Sequence, residues 1–405
     1  MTVYGFVGID IAKDTFTVAF LRADALEGHI LSEQVADFPY TQEGWQQFLQ
    51  TWQTFQADRW WVGLEASGPY SALLETHLSR LSSPAFTLHR LSPAQVRDFA
   101  RSRSRRRAKT DRLDARTLAH FLRQQVTTQA LSPARQADET PDYQALVRLE
   151  ERLVKDISAL QNQVRQHLHF LFPELERQQA RFSKALRTLL RHYPSAAAIA
   201  QASPEELAAC LPKGHRLDLA ALHKLARESF GLHDPVRARV LQELLDLWQE
   251  LEARLDHVRT LLIEAVSQAA SEAMAILLAI PGIGPLMAAR FLALVGDIRR
   301  FPSAKALVAF AGLDVTVYAS GRYQGRRRLS KRGHPALRHL LYLMAVSLKR
   351  HTRRFQAAFH HYRAQGRRVR ETFVILARKA LIMLYTLLTT GRHFHDLPPQ
   401  GDAPS

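Results

Sequence analysis

"RRRAKTDRLDARTLAHFLR" (Arg105–Arg123) places a run of cations, Arg105, Arg106, Arg107 and Lys109, directly ahead of two acids, Asp111 and Asp114. The acids open a helical stretch. Residues three apart share a helix face, so both carboxylates can be presented at one spot. Two readings stand open on these residues alone. The acids can pair with the arginines, or follow Thr110 as caps that favour the helix dipole. Alternatively the cations hold a polyanion while the acids hold a metal.

Upstream, strand and helix signals alternate. "VYGFVGI" is a short β-rich run ending at Asp10, and "TFTVAFL" (15–21) alternates as a second strand joined to it by "DIAKD". A third strand falls near 30–38, and "TQEGWQQFLQTWQTF" (41–55) is an amphipathic helix. "RWWVGLE" (59–65) is a fourth strand ending at Glu65, and "SGPY" opens another helix with Pro69 at an early position, where proline fits. "AFTLHRL" is a fifth strand and "PAQVRDFA" a short helix. This order predicts a mixed sheet, α/β in class. Trp45, Trp52, Trp60 and Trp61 stand at core-like positions.

In a ribonuclease-H-type sheet the first and fourth strands are neighbours and the closing helix packs beside them. That arrangement gathers Asp10, Glu65, Asp111 and Asp114. Four carboxylates in a small space need counter-charge, and an all-oxygen donor set favours Mg²⁺ or Mn²⁺. Two such ions, about 4 Å apart, suit phosphoryl transfer. Taken singly, each acid has a plainer reading, Asp10 as a turn residue and Glu65 as a solvated strand end. The joint pattern is the stronger signal.

Downstream the chain turns helical. Leu146, Leu149, Leu153, Ile157, Leu160, Val164 and Leu168 recur at spacings of three and four, a seam of coiled-coil type. A second seam runs through Val240, Leu244, Leu247, Leu251, Leu255, Val258 and Leu262. An antiparallel helical arm with a small cap is the economical reading. "AIPGIGPLMAARFLALVG" (279–296) reads as helix, tight turn, helix, with Gly282 and Gly284 placed to offer backbone N–H groups to phosphates; a close-packed helix pair explains them equally well. "YASGRYQGRRRLSKRGHPALRHLLYLMA" sets Ser320 in a glycine-punctuated loop among Arg322, Arg326, Arg327, Arg328, Lys331 and Arg332, with Arg338 beyond. Between Val315 and Arg370 there are 15 Arg or Lys residues and no acid. Ser-Gly is ordinarily a turn. Among phosphate-binding guanidinium forks, however, a loop serine can attack phosphorus and conserve the phosphodiester energy.

The bulk numbers agree with a phosphate-rich partner. The 405 residues carry a formal net charge of +17, with pI near 10.4. Such a surplus favours polyanions through counterion release. A hydrophobic share of 46% predicts an ordinary core. The single cysteine, Cys210, leaves no disulfide framework and fits a reducing compartment. "MTVYGFVGID" does not read as a signal peptide. "FVILARKALIMLYTLL" carries Arg378 and Lys379 at its centre and reads as a buried amphipathic helix, not a membrane span. His334 and His339 read as capping or solvated, and no zinc pattern is expected.

"GIDIAKDTF", "LEASGPY" and "RRAKTDRLDARTLA" resemble the N-terminal motifs of the insertion-sequence one-hundred-and-ten family of DEDD transposases. Ser67 stands where threonine is commoner. The serine loop resembles that family's C-terminal domain, and "IPGIGPLMAARFLALVGD" its helix-hairpin-helix segment. The resemblance implies a RuvC-like domain at 1–130 and a mainly helical transposase domain at 276–390; the seams make 140–275 a helical coiled-coil arm between them, and the composition of 391–405 makes it a disordered tail. The resemblance also implies Asp10, Glu65, Asp111 and Asp114 as the metal-binding tetrad and Ser320 as nucleophile, framed by Gly321, Gly325, Lys331, Gly333 and Arg338. It further implies DNA ends and target as substrates, a noncoding bridge RNA as guide, and homodimers that pair into tetramers. In such assemblies the acids of one protomer serve the serine of another. The expected location is the cytoplasm, at the nucleoid of a prokaryote, with no membrane partner. The other enzymatic reading is a RuvC-like metal-dependent endonuclease using water, with Ser320 only a turn residue. The non-enzymatic one is a nucleic-acid-binding scaffold.

Overall fold

The computed structural model describes residues 2–65, 68–81, 83–103, 111–128, 142–178, 182–316, 319–320, 323–324, 328–329 and 333–396. The chain divides into two compact units, Met1–Pro141 and Asp142–Ser405.

The first unit is a five-stranded mixed sheet with helices on both faces. Its elements are β1 (Tyr4–Ile11), β2 (Thr15–Ala23), β3 (Ile30–Pro39), α1 (Gln42–Gln53), β4 (Arg59–Glu65), α2 (Pro69–Ser79), β5 (Phe86–Leu91), α3 (Pro93–Arg103) and α4 (Asp111–Thr127). The strand order is β3-β2-β1-β4-β5. β1 runs antiparallel to β2 and parallel to β4, so the first and fourth strands are neighbours. In β1 the pleat sends Val7 and Ile9 into one core and Phe6 into the other. Burial on both faces is why this strand reads as an almost unbroken apolar run. β3, at the edge, is largely exposed and carries Ser32, Glu33, Gln34 and Asp37, side chains that discourage pairing with another chain.

α1 packs Phe48 and Trp52 into the core on one face, with Leu74 and Leu78 of α2. α4 lies on the other face and buries Ala115, Leu118, Ala119, Phe121 and Leu122. Of the four tryptophans, Trp52 and Trp60 are buried, whereas Trp45 and Trp61 are only partly so. α3 runs three residues past the "PAQVRDFA" stretch, so Arg101 and Arg103 stand on it.

The second unit is helical. α5 (Tyr143–Leu171) and α11 (Pro235–Ala269) pack antiparallel: Glu150 near the start of α5 meets Arg259 near the end of α11. Between them lie α6 (Pro173–Gln178), α7 (Lys184–His192), α8 (Ala196–Gln201), α9 (Pro204–Ala209) and α10 (Leu219–Arg227). Local sequence fixes these short helices. Ser183, Ser195, Ser203 and Asp218 cap four of them, and Ser203 with Glu206 forms a reciprocal capping box. Then follow α12 (Ser271–Leu278), α13 (Pro285–Val295), α14 (Ala304–Ala311), α15 (Pro335–His351), α16 (Arg353–Ala364) and α17 (Val369–Thr390). α17 is long and apolar enough to cross a membrane, but it buries Leu376, Ala377, Ala380, Leu381, Leu384 and Leu388 in the helical core.

The seams differ from the expected ones at several positions. Leu149 is exposed and Leu146 only partly buried, while Val147 and Glu150 are buried. On α11, Val240 and Leu247 are exposed; Leu241, Leu245 and Trp248 take the buried track. The cause is the cap. α11 here faces α7 as well as α5, with Arg187 of α7 stacked on the Trp248 ring, 4.4 Å from its centroid. A leucine-rich helix offers two adjacent apolar tracks, and the three-dimensional neighbour chooses between them.

Candidate active site

Each of the four acids of the first unit sits at a strand end or in a helix's first turn, at one end of the sheet. Asp10 is near the end of β1, opposite Thr17 of β2. Glu65 ends β4, which runs parallel to β1. By the pleat, Asp10 follows Phe6 and Gly8 on the α4 side, and Glu65 follows Trp61 and Gly63 on that same side. Asp111 and Asp114 occupy the first turn of α4.

What brings that turn close is the absence of a side chain at Gly8. A Cβ there would lie 2.3 Å from the Ala119 nitrogen and 2.4 Å from the Ala115 oxygen. The α4 backbone therefore rides directly on β1 over two alanines. Arg112, between the two acids, donates to Asp37 of β3 through Nε at 2.9 Å and Nη2 at 2.7 Å, and Thr17 donates to the other Asp37 oxygen at 2.8 Å. That guanidinium holds the Asp37 carboxyl below the usual range. Arg116 pairs with Glu33 farther along. Two arginines of α4 thus pair with acids, but with Asp37 and Glu33 of β3 and not with the acids beside them in the sequence. Nothing in the charge pattern singled out Asp37; its role follows from strand register.

The consequence is electrostatic. The Asp10 carboxyl is raised from 3.8 to about 6, first by burial, then by the negative charges of Asp114, Asp111 and, more weakly, Glu65. Asp10 thus feels each of the other three acids. Among the described residues no three acids or histidines are drawn tightly enough around one point to enclose an ion. A group of like charges under this strain is nevertheless chemically suited to a hard divalent cation, since its donors are all oxygen.

The other predicted residues fall as follows. Gly282 has φ +90°, and its carbonyl accepts from the Ser347 hydroxyl at 2.6 Å; a Cβ there would meet His351 and Ser347. It is a close-packing glycine between the α12–α13 turn and α15. Gly284 precedes α13, with open space where a Cβ would be. Ser320 lies on β7 (Ala319–Ser320), paired antiparallel with β8 (Tyr323–Gln324), and Arg328 on β9 (Arg328–Leu329), paired with β6 (Val315–Thr316). These short strands went unseen in the sequence. Arg105, Arg106, Arg107, Lys109, Arg322, Arg326, Arg327, Lys331 and Arg332 lie outside the described residues, as do Ser67, Gly321, Gly325 and the end of the tail.

The base of the serine segment is closed. The Gly312 and Gly333 backbones touch, so that a Cβ on Gly333 would lie 2.2 Å from the Gly312 nitrogen. His334 N–H donates to Phe310 O at 2.8 Å, and Arg338 Nη1 donates to Ala311 O at 3.1 Å. Arg338 is thus in part a structural clasp. His334 caps α15, its Nδ1 accepting from Leu337 N at 3.3 Å; burial holds the imidazole below its ordinary value, which keeps this acceptor neutral.

The DEDD transposase model of IS110 elements matches residues 7–173, and the transposase model of the IS116/IS110/IS902 family matches residues 274–360. The chain belongs to the IS110 family of transposases. An IS110 insertion-element protein of Streptomyces coelicolor is 26% identical over 313 residues, 73% of this chain and 74% of that one. The transposase for element IS1111A of Coxiella burnetii is 28% identical over 305 residues, 74% of this chain and 70% of its own. A pilin gene-inverting protein of Moraxella lacunata shares 29% identity over 150 residues, 36% of this chain and 46% of that one. This transposase is accordingly an enzyme that cuts and rejoins DNA.

Proposed function

We propose that this transposase cuts and rejoins DNA through a phosphoserine intermediate, with Asp10, Glu65, Asp111 and Asp114 as its acid site and Ser320 as nucleophile. The observation that carries the reading is the strain on Asp10. Burial first, and then the charges of Asp114, Asp111 and, more weakly, Glu65, raise it to about 6, an arrangement costly to keep unless charge arrives to relieve it. The four acids would hold Mg²⁺ or Mn²⁺, two ions by the donor count, which would supply charge neutralisation at the scissile phosphate.

The chain's own groups do the rest. The Ser320 oxygen forms a bond to phosphorus as the DNA phosphodiester P–O bond breaks. The serine proton leaves to a carboxylate, and the departing DNA oxygen takes up a proton. Rejoining reverses each transfer with a new DNA hydroxyl, so no external energy source is needed. Arg105, Arg106, Arg107, Lys109, Arg322, Arg326, Arg327, Arg328, Lys331, Arg332 and Arg338, with the glycine turn at Gly282 and Gly284, would bind phosphates. The unit division supports a RuvC-like domain over 1–130, and the two helical cores support an arm over 140–275 and a transposase domain over 276–390. The helical arm would join dimers that pair into tetramers, and a noncoding bridge RNA would choose the DNA sites.

The test is a covalent-adduct assay. Protein, labelled junction DNA from its element ends, the flanking RNA and Mg²⁺ are mixed and run on denaturing gels. A DNA-linked protein band is expected with the wild type and absent with Ser320→Ala and Asp10→Ala. Free nicked DNA that persists in Ser320→Ala without any adduct means that water is the nucleophile.

A further inference from the structure

The first unit holds a second feature at the acid-bearing end of its sheet. Between α1 and α2 lies a pocket of about 160 Å³, lined by Phe16, Tyr40, Trp45, Leu73, Leu74 and His77, with Thr41 and Gln42 at its edge. It opens on the opposite sheet face from the acids, the face that carries Ile9 and Leu64.

Three observations bear on what it takes. The first is shape. Its walls are aromatic: Phe16 meets Tyr40 edge-on at 6.2 Å, Trp45 meets His77 at 5.5 Å, and Tyr70 stands edge-on to Tyr40 at 6.0 Å. An apolar cavity of about 150 Å³ takes one benzene-sized ring. This pocket is therefore about the size of a single six-membered ring. The second is the rim. Tyr70 and Leu73 are large apolar side chains left 41% and 51% exposed, so apolar surface continues outward from the pocket. The Gln42 amide and the His77 ring offer both donors and acceptors to a heterocycle's edge. The third is position. Tyr40 N–H donates to Asp14 O at 2.9 Å, and the Tyr40 hydroxyl to Tyr70 O at 2.7 Å. Asp14 is four residues beyond Asp10, and Tyr70 five beyond Glu65. Five residues of chain reach at most about 18 Å, roughly five stacked nucleotides at 3.4 Å each.

We infer that this pocket receives an unpaired pyrimidine base from the DNA strand whose phosphate lies at the acid quartet. The ring would stack among Tyr40, Trp45 and His77, and the sugar and phosphate would stay outside. The pocket would then hold the strand in register, and prefer a pyrimidine at one fixed step from the cut. The inference rests on the acid site proposed above, but it is separable from it.

The experiment uses the full chain and a short single-stranded oligothymidylate with one 5-iodouracil moved along it, irradiated and digested for mass spectrometry. Cross-links are expected on peptides holding Tyr40, Trp45 or His77, for one position of the label. Leu73→Glu, at an exposed rim site, should keep the melting temperature and, by placing a carboxylate where the base enters, weaken oligothymidylate binding about tenfold, as much as if the base no longer stacked inside. Oligoadenylate should compete less well than oligothymidylate. Cross-links spread elsewhere, with unchanged binding in Leu73→Glu and in His77→Ala, overturn the pocket. So does a probe that cross-links there only as the ribo-oligonucleotide. Asp10→Asn is run in parallel for cleavage. Cleavage retained in it, with cross-links still in the pocket, rejects the acid site and leaves the pocket standing.

Discussion

Gly8 lies directly against Ala119: a Cβ on the strand residue would sit 2.3 Å from the helix nitrogen. The neighbour is backbone, not a side chain that could swing aside. Gly8→Ala should therefore push α4 off the sheet. Overpacking of this kind costs about 1–3 kcal/mol. The same displacement should move Asp111 and Asp114 from Asp10, so that the Asp10 carboxyl titrates closer to 3.8. Denaturant midpoints and carboxyl titration by NMR check both, and an unchanged Asp10 titration would show that α4 is held by something other than this contact.

Asp10 also predicts a pH dependence. Its folded value of about 6 lies above the ordinary 3.8. Folding therefore favours the protonated form. Relative to acid, stability falls as pH rises from about 4 to about 6, and the penalty is full above that. Asp10 is partly exposed, so solvent screening reduces the cost to the order of 1 kcal/mol. Metal-free Asp10→Asn should melt higher than the wild type at pH 7.5, by an amount that vanishes near pH 4. Mg²⁺ should raise the melting temperature of the wild type and not of Asp10→Asn. Equal melting of the two proteins at every pH would remove the strain argument.

Glu150 is 1% exposed on α5, with Arg259 Nε at 3.1 Å and Arg290 Nη1 at 3.5 Å. Removing one partner of a buried ion group strands the other, at about 3–5 kcal/mol. Here Arg259 is partly exposed and Arg290 retains Glu151 at 3.1 Å. Glu150→Ala should thus lie at the lower end, about 3 kcal/mol, with Glu150→Gln milder. Urea midpoints of the two variants give the comparison; a loss of less than about 0.5 kcal/mol would mean that the charges contribute nothing net.

The arginines ahead of the acid pair predict a salt effect. Each phosphate contact on duplex DNA adds about 0.9 to the slope of log affinity against log salt. Replacing Arg105, Arg106 and Arg107 with alanine should flatten that slope by roughly two to three units. An unaltered slope would assign them elsewhere.

The sheet was legible because β1, β2 and β4 are pressed on both faces and their sequences say so. The acids were legible because each stands where a strand ends or a helix begins. Asp37 was not, since only the register of β2 with β3 brings it to Thr17 and Arg112. The buried track of α11 was misplaced by one residue over Val240–Leu247, because the cap that selects Leu241, Leu245 and Trp248 comes from a segment about fifty residues earlier.

The contact between Gly312 and Gly333 has a consequence for how such a chain can change. The two ends of the serine segment are fixed at one place in the helical core, Leu313 buried within it and Gly333 against Gly312. Lengthening a segment already closed at its base adds only slowly to its entropic cost. The serine segment is in this sense an exchangeable cassette. Whole loops grafted between Leu313 and Gly333 should leave the host fold intact, giving evolution, or an engineer, a place to alter the chemistry without rebuilding the support.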